Sequence, residues 1–311
     1  LGEPKTKNLI FKVVATNAEL QAVETGDVDI HDQVVCDDDH IEEAMSAGFI
    51  NLKIQPTLGY GYVATNQKNE IFQDVKVRQA LLHAIDRKSL NQAVYGQYAI
   101  TLNIPQAPIS WLYDDEGMET YDYDLEKAAE LLKEAGWEKD GDKLMKDGKQ
   151  MKIVFSAMSG NVVTDTMIPL MIDAYGQLGI DFQAEYVDWP TLQSKSQNGT
   201  FDMLFIAWGL TADPDLTGTF ASAEAGGTQN RTGYANPELD KMLADALAST
   251  SKEEQKEKYK EIYKLINEEL PLYPIYERCD LICYNTRVQN IEQSSYVKWY
   301  QQDKIVNIEV E

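Results

Sequence analysis

The chain has 311 residues, 43% apolar and 25% charged, with a net charge of −23. That length can bury one large core or two ordinary ones, and the composition is that of a folded soluble protein. So acidic a chain is repelled by nucleic acid and by anionic membrane surfaces, which argues against either as its main partner. No run reaches the roughly eighteen apolar residues a membrane helix needs, and no basic-then-apolar leader opens the sequence.

In chain order, residues 9–14 are predicted as a strand, 17–23 as a short helix ending near Gly26, and 28–30 as a second short strand. Asp37, Asp38, Asp39 and His40 have the ligand chemistry of a metal site. Acids at the start of a helix over 41–47 are equally explained by its dipole, and that reading is preferred. Residues 49–54 and 60–65 are further strands, and alternation puts Tyr60 and Tyr62 on one face. The cysteines are Cys36, Cys279 and Cys283, an odd count that cannot make a full disulfide framework. If Cys279 and Cys283 share a strand, four residues at about 3.3 Å each hold them too far apart to bridge. All three read as small buried hydrophobes.

Residues 72–105 carry the most informative pattern. Val77, Ala80, Leu81, Ala84 and Ile85 form one apolar helical stripe, and Asp74 is placed to cap it. Asp86 opens a second, shorter helix, and Gly96 suits a left-handed stop. The ordered identities Phe72, Asp74, Val77, Arg78, Gln79, Ala80, Leu81, Ala84, Ile85, Asp86, Arg87, Tyr95 and Gly96 resemble the family 5 solute-binding proteins of oligopeptide, dipeptide and nickel ABC importers. Three more phrases carry the same resemblance: AVETGDVDI, YDYDLEKAAELLKEAGW and NPELDKMLADALAS.

Beyond the signature, 105–122 is turn-rich, with Trp111 as a packing anchor, and Asp124 caps a helix ending at Gly136-Trp137. Asp140-Gly141-Asp142 and Asp147-Gly148 read as hairpin turns rather than a calcium loop, lacking its glutamate and spacing. Strands over 151–155, 180–187 and 201–208 then alternate with helices over 165–178 and 190–198, which implies an α/β lobe with parallel pairings. Met167 and Met171 are core filling. A helix opens at Asn236-Pro237, Ser251 and Glu254 make a capping box for a helix over 252–269, and 272–276 is a strand.

No nucleophile elbow, zinc helix, phosphate loop or CxxC pair is present, and His31, His40 and His83 have no obvious partners. His83 is expected on the exposed side of its helix. Asp213 and Asp215 could serve acid–base work, but with 51 acidic residues such a pair arises easily by chance. No enzyme and no cofactor are expected. A binding module needs aromatic walls and a few polar anchors, and a strand ending at Trp208 supplies the best candidate. Trp208 either stacks on a ligand or covers the sheet edge.

The resemblance sharpens that candidate. In peptide-binding relatives a Trp-x-x-Asp pattern pairs the carboxylate with the peptide ammonium group. Here Thr211 holds that position, and Asp213 matches the family's Asp-Pro step instead, which leaves a solute-binding role intact and weakens a dipeptide ligand. The resemblance also implies that Tyr60 and Tyr62 line the cleft, with Asp32 and Gln33 at its edge. Arg231, in the glycine-rich loop 225–233, would pair a ligand carboxylate as that loop closes.

The resemblance implies an α/β fold of the class II periplasmic-binding-protein type: two lobes with mixed sheets and a hinge, the N-terminal part missing. Lobe I is expected at 1–65 and 285–311 and lobe II at 66–284, with hinge crossings at 65–72 and 277–285. The expected function is extracytoplasmic capture of short peptides in the interlobe cleft for an ABC permease and its ATPase. A metal chelate or an oligosaccharide is the alternative ligand. A monomer is expected, with no metal and no nucleic acid. LGEPK lies well inside the mature family sequence. The chain is therefore expected to be a fragment, any signal peptide or lipid-anchoring cysteine lying upstream at the periplasmic or outer face of the cell membrane.

Overall fold

The computed structural model describes residues 2–15, 18–212, 215–292 and 294–310. The chain separates into two compact units, one of residues 1–58, 95–100 and 277–311, the other of 59–94 and 101–276. These units divide the chain at 58/59 and 276/277, whereas lobe boundaries are expected near 65 and 285, and residues 65–72 lie wholly inside the second unit.

The first unit is built on residues 277–285 of the long strand Leu272–Asn285. It pairs antiparallel with Ile50–Pro56 and with Ile30–Val34. Helices Glu19–Glu24 and Asp38–Ser46 cover this ladder, Leu20, Val23 and Ala44 meeting Val34, Ile50, Leu281 and Cys283 in one core. Asp37 caps the second helix, accepting the His40 backbone N–H at 2.8 Å and standing 2.7 Å from the His40 ring Nδ1. No cluster of three or more His, Cys, Asp or Glu side chains fit to hold a metal occurs among the described residues.

Two expectations for this unit fail. The strand expected at 28–30 begins only at Ile30, because Gly26 leaves the first helix at φ +74° and Val28 N–H bonds back to the Ala22 carbonyl. Residues 9–14 are not a strand, and Ile10 and Val13 are 83% and 97% exposed. A strand exists only where a neighbour takes up its backbone groups, and no described strand pairs with this stretch. Residues 288–310 form a small satellite in which Val288–Gln289 pairs with Glu309–Val310 over Val288, Ile291, Trp299 and Ile308.

The second unit carries a mixed sheet. Gly59–Thr65 is antiparallel to residues 272–276 on one side and to Met203–Gly209 on the other. Met203–Gly209 is parallel to Lys152–Met158, which is parallel to Asp181–Val187. Helices Val162–Leu178 and Trp189–Asn198 make the crossovers, as the strand–helix alternation requires. Met167 and Met171 are fully buried, whereas Leu170 and Tyr186 are 38% and 51% exposed. Asp147 and Gly148 turn with φ of +53° and +75° between Lys143–Lys146 and Lys149–Gln150, the hairpin chemistry of the Asp-Gly pair.

The signature helices are Val75–His83 and Arg87–Tyr95. Asp74 accepts the Lys76 N–H at 2.9 Å and Asp86 the Ser89 N–H at 3.0 Å, so each helix start is capped by its own aspartate. Their arginines are buried. Arg78 donates to the carbonyls of Phe72, Gln73 and Glu269 and pairs with the Glu269 carboxylate at 3.1 Å. Arg87 donates to the carbonyls of Leu102, Thr120 and Pro274, tying three separated segments to one helix. Burial lowers its guanidinium to about 10, the nearby Asp122 opposing the shift. His83 is buried rather than exposed: its ring Nδ1 lies 2.8 Å from the Asp122 carbonyl, because residues 121–124 fold across that face.

Candidate ligand-binding site

The site grows from the register of one strand pair in the second unit. Trp208 stands opposite Tyr60, and Ile206 opposite Tyr62. Residues two apart on a strand share a face, and directly opposed residues share it too, so these four side chains form one patch. The Tyr60 and Tyr62 rings lie 5.6 Å apart. Both are buried in the unit's core, with Ile206 and Trp208 packed against that core and partly open. The strands approach closely where the glycines sit. A Cβ on Gly59 would fall 2.6 Å from the Trp208 carbonyl oxygen, and one on Gly61 would fall 2.6 Å from the Tyr276 ring.

Behind the tyrosines stands helix Lys252–Glu269, which contributes Tyr259 and Tyr263, their rings 5.8 Å apart. Gln106 donates from Nε2 to the Tyr263 hydroxyl at 3.0 Å. The Tyr60 hydroxyl is enclosed and has no hydrogen-bond partner among the described residues. Burial pushes both Tyr60 and Tyr62 well above the ordinary tyrosine range. For Tyr62 the Arg231 guanidinium opposes that rise, which places its charge within electrostatic reach of the phenol. The patch is therefore a neutral aromatic wall with one cation beside it.

The loop that carries Arg231 is tied down rather than a loose flap. Asn230 donates to the carbonyls of Ala221 and Tyr234 at 2.9 and 2.7 Å, and Thr232 O accepts the Gln67 N–H at 2.8 Å. Gly227 N–H reaches the Ser222 carbonyl at 2.8 Å, and Asp240 takes both the N–H and the hydroxyl of Ser222. These bonds tie the backbone on both sides of Arg231, whose side chain remains half-exposed.

The structure thus gathers Tyr60, Tyr62, Trp208 and Arg231, and Thr211 follows Trp208 on an exposed stretch. Asp213 lies outside the described residues. Asp32 and Gln33 belong to the first unit, on the strand Ile30–Val34. Asp32 Oδ2 faces the Lys298 ammonium at 3.6 Å, and Lys298 also pairs with Asp280 at 3.2 Å, so this carboxylate already sits in a charge network. Gln33 is exposed. The residues missed by sequence reasoning are Tyr259, Tyr263 and Gln106; long separation in sequence hides them, since Gln106 and Tyr263 meet across 157 positions.

A family model described as bacterial extracellular solute-binding proteins, family 5, middle region, matches residues 1–230. The chain belongs to that family. Family 5 is a solute-binding family, and the class II periplasmic-binding-protein fold is shared with its solved members. The oligopeptide-binding protein AppA of Bacillus subtilis is 30% identical over 283 residues, covering 88% of this chain and 51% of that protein. Heme-binding protein A of Haemophilus influenzae is 28% identical over 250 residues, covering 79% and 44%. The solved structure of AppA from Bacillus subtilis in complex with a nonapeptide superposes with a TM-score of 0.86 at 26% identity. It covers 95% of this chain and 58% of that one. The chain spans about half the length of the curated relatives it matches. No described helix is long and apolar enough to cross a membrane.

Proposed function

We propose that this chain is part of the extracytoplasmic solute-binding component of an ABC importer, capturing short peptides for delivery to the permease and its ATPase. The observation that carries the reading is the superposition on the peptide-bound AppA structure, which covers 95% of the chain. In this reading Trp208 stacks on a peptide plane or side chain, with Tyr60 and Tyr62 fixing its orientation from behind. Arg231 pairs a ligand carboxylate, a role supported by its electrostatic influence on Tyr62. Residues 1–58, 95–100 and 277–311 would form lobe I and the second unit lobe II. The whole protein would work at the outer face of the cell membrane or in the periplasm, which the extracellular solute-binding family supports.

One residue favours a second reading. Thr211 occupies the position where an aspartate would pair the peptide ammonium, so a solute without a free amine fits equally well. That ligand would be a metal chelate or an oligosaccharide. Native mass spectrometry of the secreted protein, purified without refolding, tests both. Added masses that fragment as mixed short peptides support the first reading, and a single non-peptide mass overturns it in favour of the second. Trp208→Ala should weaken peptide binding at least tenfold, about 1.4 kcal/mol, while leaving the fold intact.

A further inference from the structure

The first unit brings two of the three cysteines to one point of its ladder. The antiparallel register pairs Val34 with Leu281. That is the last paired position, and the same register extrapolated two residues beyond it would set Cys36 opposite Cys279. The strand itself ends at Val34, and the next helix, capped by Asp37, begins at Asp38, so Cys36 lies in the short connection between them. The side chains agree. Val34 and Leu281 both enter the first unit's core, residues two further along each strand share that face, and Cys36 and Cys279 belong to the same cluster. Directly opposed antiparallel residues have Cα atoms about 4.5–5.5 Å apart, inside the range a disulfide spans.

The third cysteine is excluded by its own place on the ladder, across a register irregularity between His31 and Val34. Cys283 stands opposite His31, well away from Cys36, and lies about 13 Å along the strand from Cys279. All three are thiols in the structure. Burial pushes Cys36 up to about 12, the Cys279 thiol being the next cause, and pushes Cys279 up to about 11. In the folded protein both are therefore protonated at neutral pH and slow to exchange. A bridge would form while the chain is folding and would then be shielded from reduction.

We propose that Cys36 and Cys279 form an intrachain disulfide across the first unit's sheet, leaving Cys283 as a buried thiol. This holds whichever solute the protein carries. With glutathione disulfide as oxidant, one cysteine thiolate attacks its S–S bond and releases one glutathione thiolate, giving a mixed disulfide. The second cysteine then attacks the protein sulfur and releases the other glutathione. Two protein thiols lose two electrons, and both protons end on the two glutathione thiols.

The test is refolding of the reduced, unfolded protein in a glutathione redox buffer, followed by acid quench, denaturation, labelling with N-ethylmaleimide and intact mass. The wild type should carry one blocked thiol, Cys283→Ser none, and Cys36→Ser and Cys279→Ser two each, counting maleimide and glutathione adducts together. Three blocked thiols on the wild type, or two on Cys283→Ser, overturn the proposal. So does fewer than two on Cys279→Ser, which would reveal pairing through Cys283. Cys283→Ser keeps both partners, so its result stands even where the other variants misfold.

Discussion

Two buried charges, one in each unit, have been handled in opposite ways. In the signature helices Arg87 is 3% exposed, yet its guanidinium donates to carbonyls from three separated segments. In the first unit Glu277 is 5% exposed, and its Oε1 has no hydrogen-bond partner among the described residues. Burial pushes that carboxyl up to about 7, against a Thr57 backbone hydrogen bond and the Arg278 charge that favour its ionised form. A buried ion whose polar atoms are satisfied becomes a structural staple; one left short of partners changes its protonation instead.

The largest test of this contrast removes the staple. Arg87→Leu should lower unfolding stability by about 3–5 kcal/mol, because three buried carbonyls lose their donor at once. Arg87→Lys should recover only part of it, since an ammonium's three donors share one nitrogen whereas these carbonyls are met by two separated guanidinium nitrogens. Denaturant unfolding of both variants measures the difference, and equal stability of Lys and Arg would break the comparison.

Glu277 should give the next effect, visible only as a function of pH. Its folded value lies above the ordinary 4.5, so the native state keeps a proton that the unfolded state gives up. The stability it contributes is complete below 4.5 and is lost as the pH climbs through about 7. Glu277→Gln should flatten thermal stability across that window and stabilise the protein at pH 8 by on the order of 2–3 kcal/mol. A mutant whose pH profile parallels the wild type would refute the assignment.

Two smaller tests separate charge from shape. Gly61→Ala drives a methyl group into the Tyr276 ring and should cost about 2 kcal/mol at any pH, read from the midpoint in urea. Asp74→Ala removes the cap of the first signature helix and should cost about 1 kcal/mol, an amount easily told from the loss of Arg87. A cost above that of Arg87→Leu would mean that capping, not the staple, holds the helix pair.

The elements that sequence periodicity located best are those whose partners lie nearby. Asp74, Asp124, Asp188, Asn236 and Ser251 cap the helices that follow them because each needs only a backbone N–H two or three residues on. The Asp147-Gly148 turn is equally local. Residues 9–14 have strand composition and no strand, and His83 is buried under residues 121–124, because both outcomes depend on what another segment supplies. Alternation put Tyr60 and Tyr62 on one face, the family resemblance made them candidates, and a strand end marked Trp208, whereas Tyr259, Tyr263 and Gln106 carry no local signal of the wall they complete.

The sequence by itself determined the helix starts, the α/β succession from 151 to 208 and the family, since all three are written in short-range order of side chains. Only the tertiary structure decided that the tyrosines are buried, that Arg78 and Arg87 are staples, that Glu277 keeps an unsatisfied oxygen and that Val34 pairs with Leu281. Each of those depends on strand register and on atoms brought from more than a hundred residues away or from a separate turn of chain. Desolvation and hydrogen-bond satisfaction act through space, and no pattern of neighbouring residues contains them.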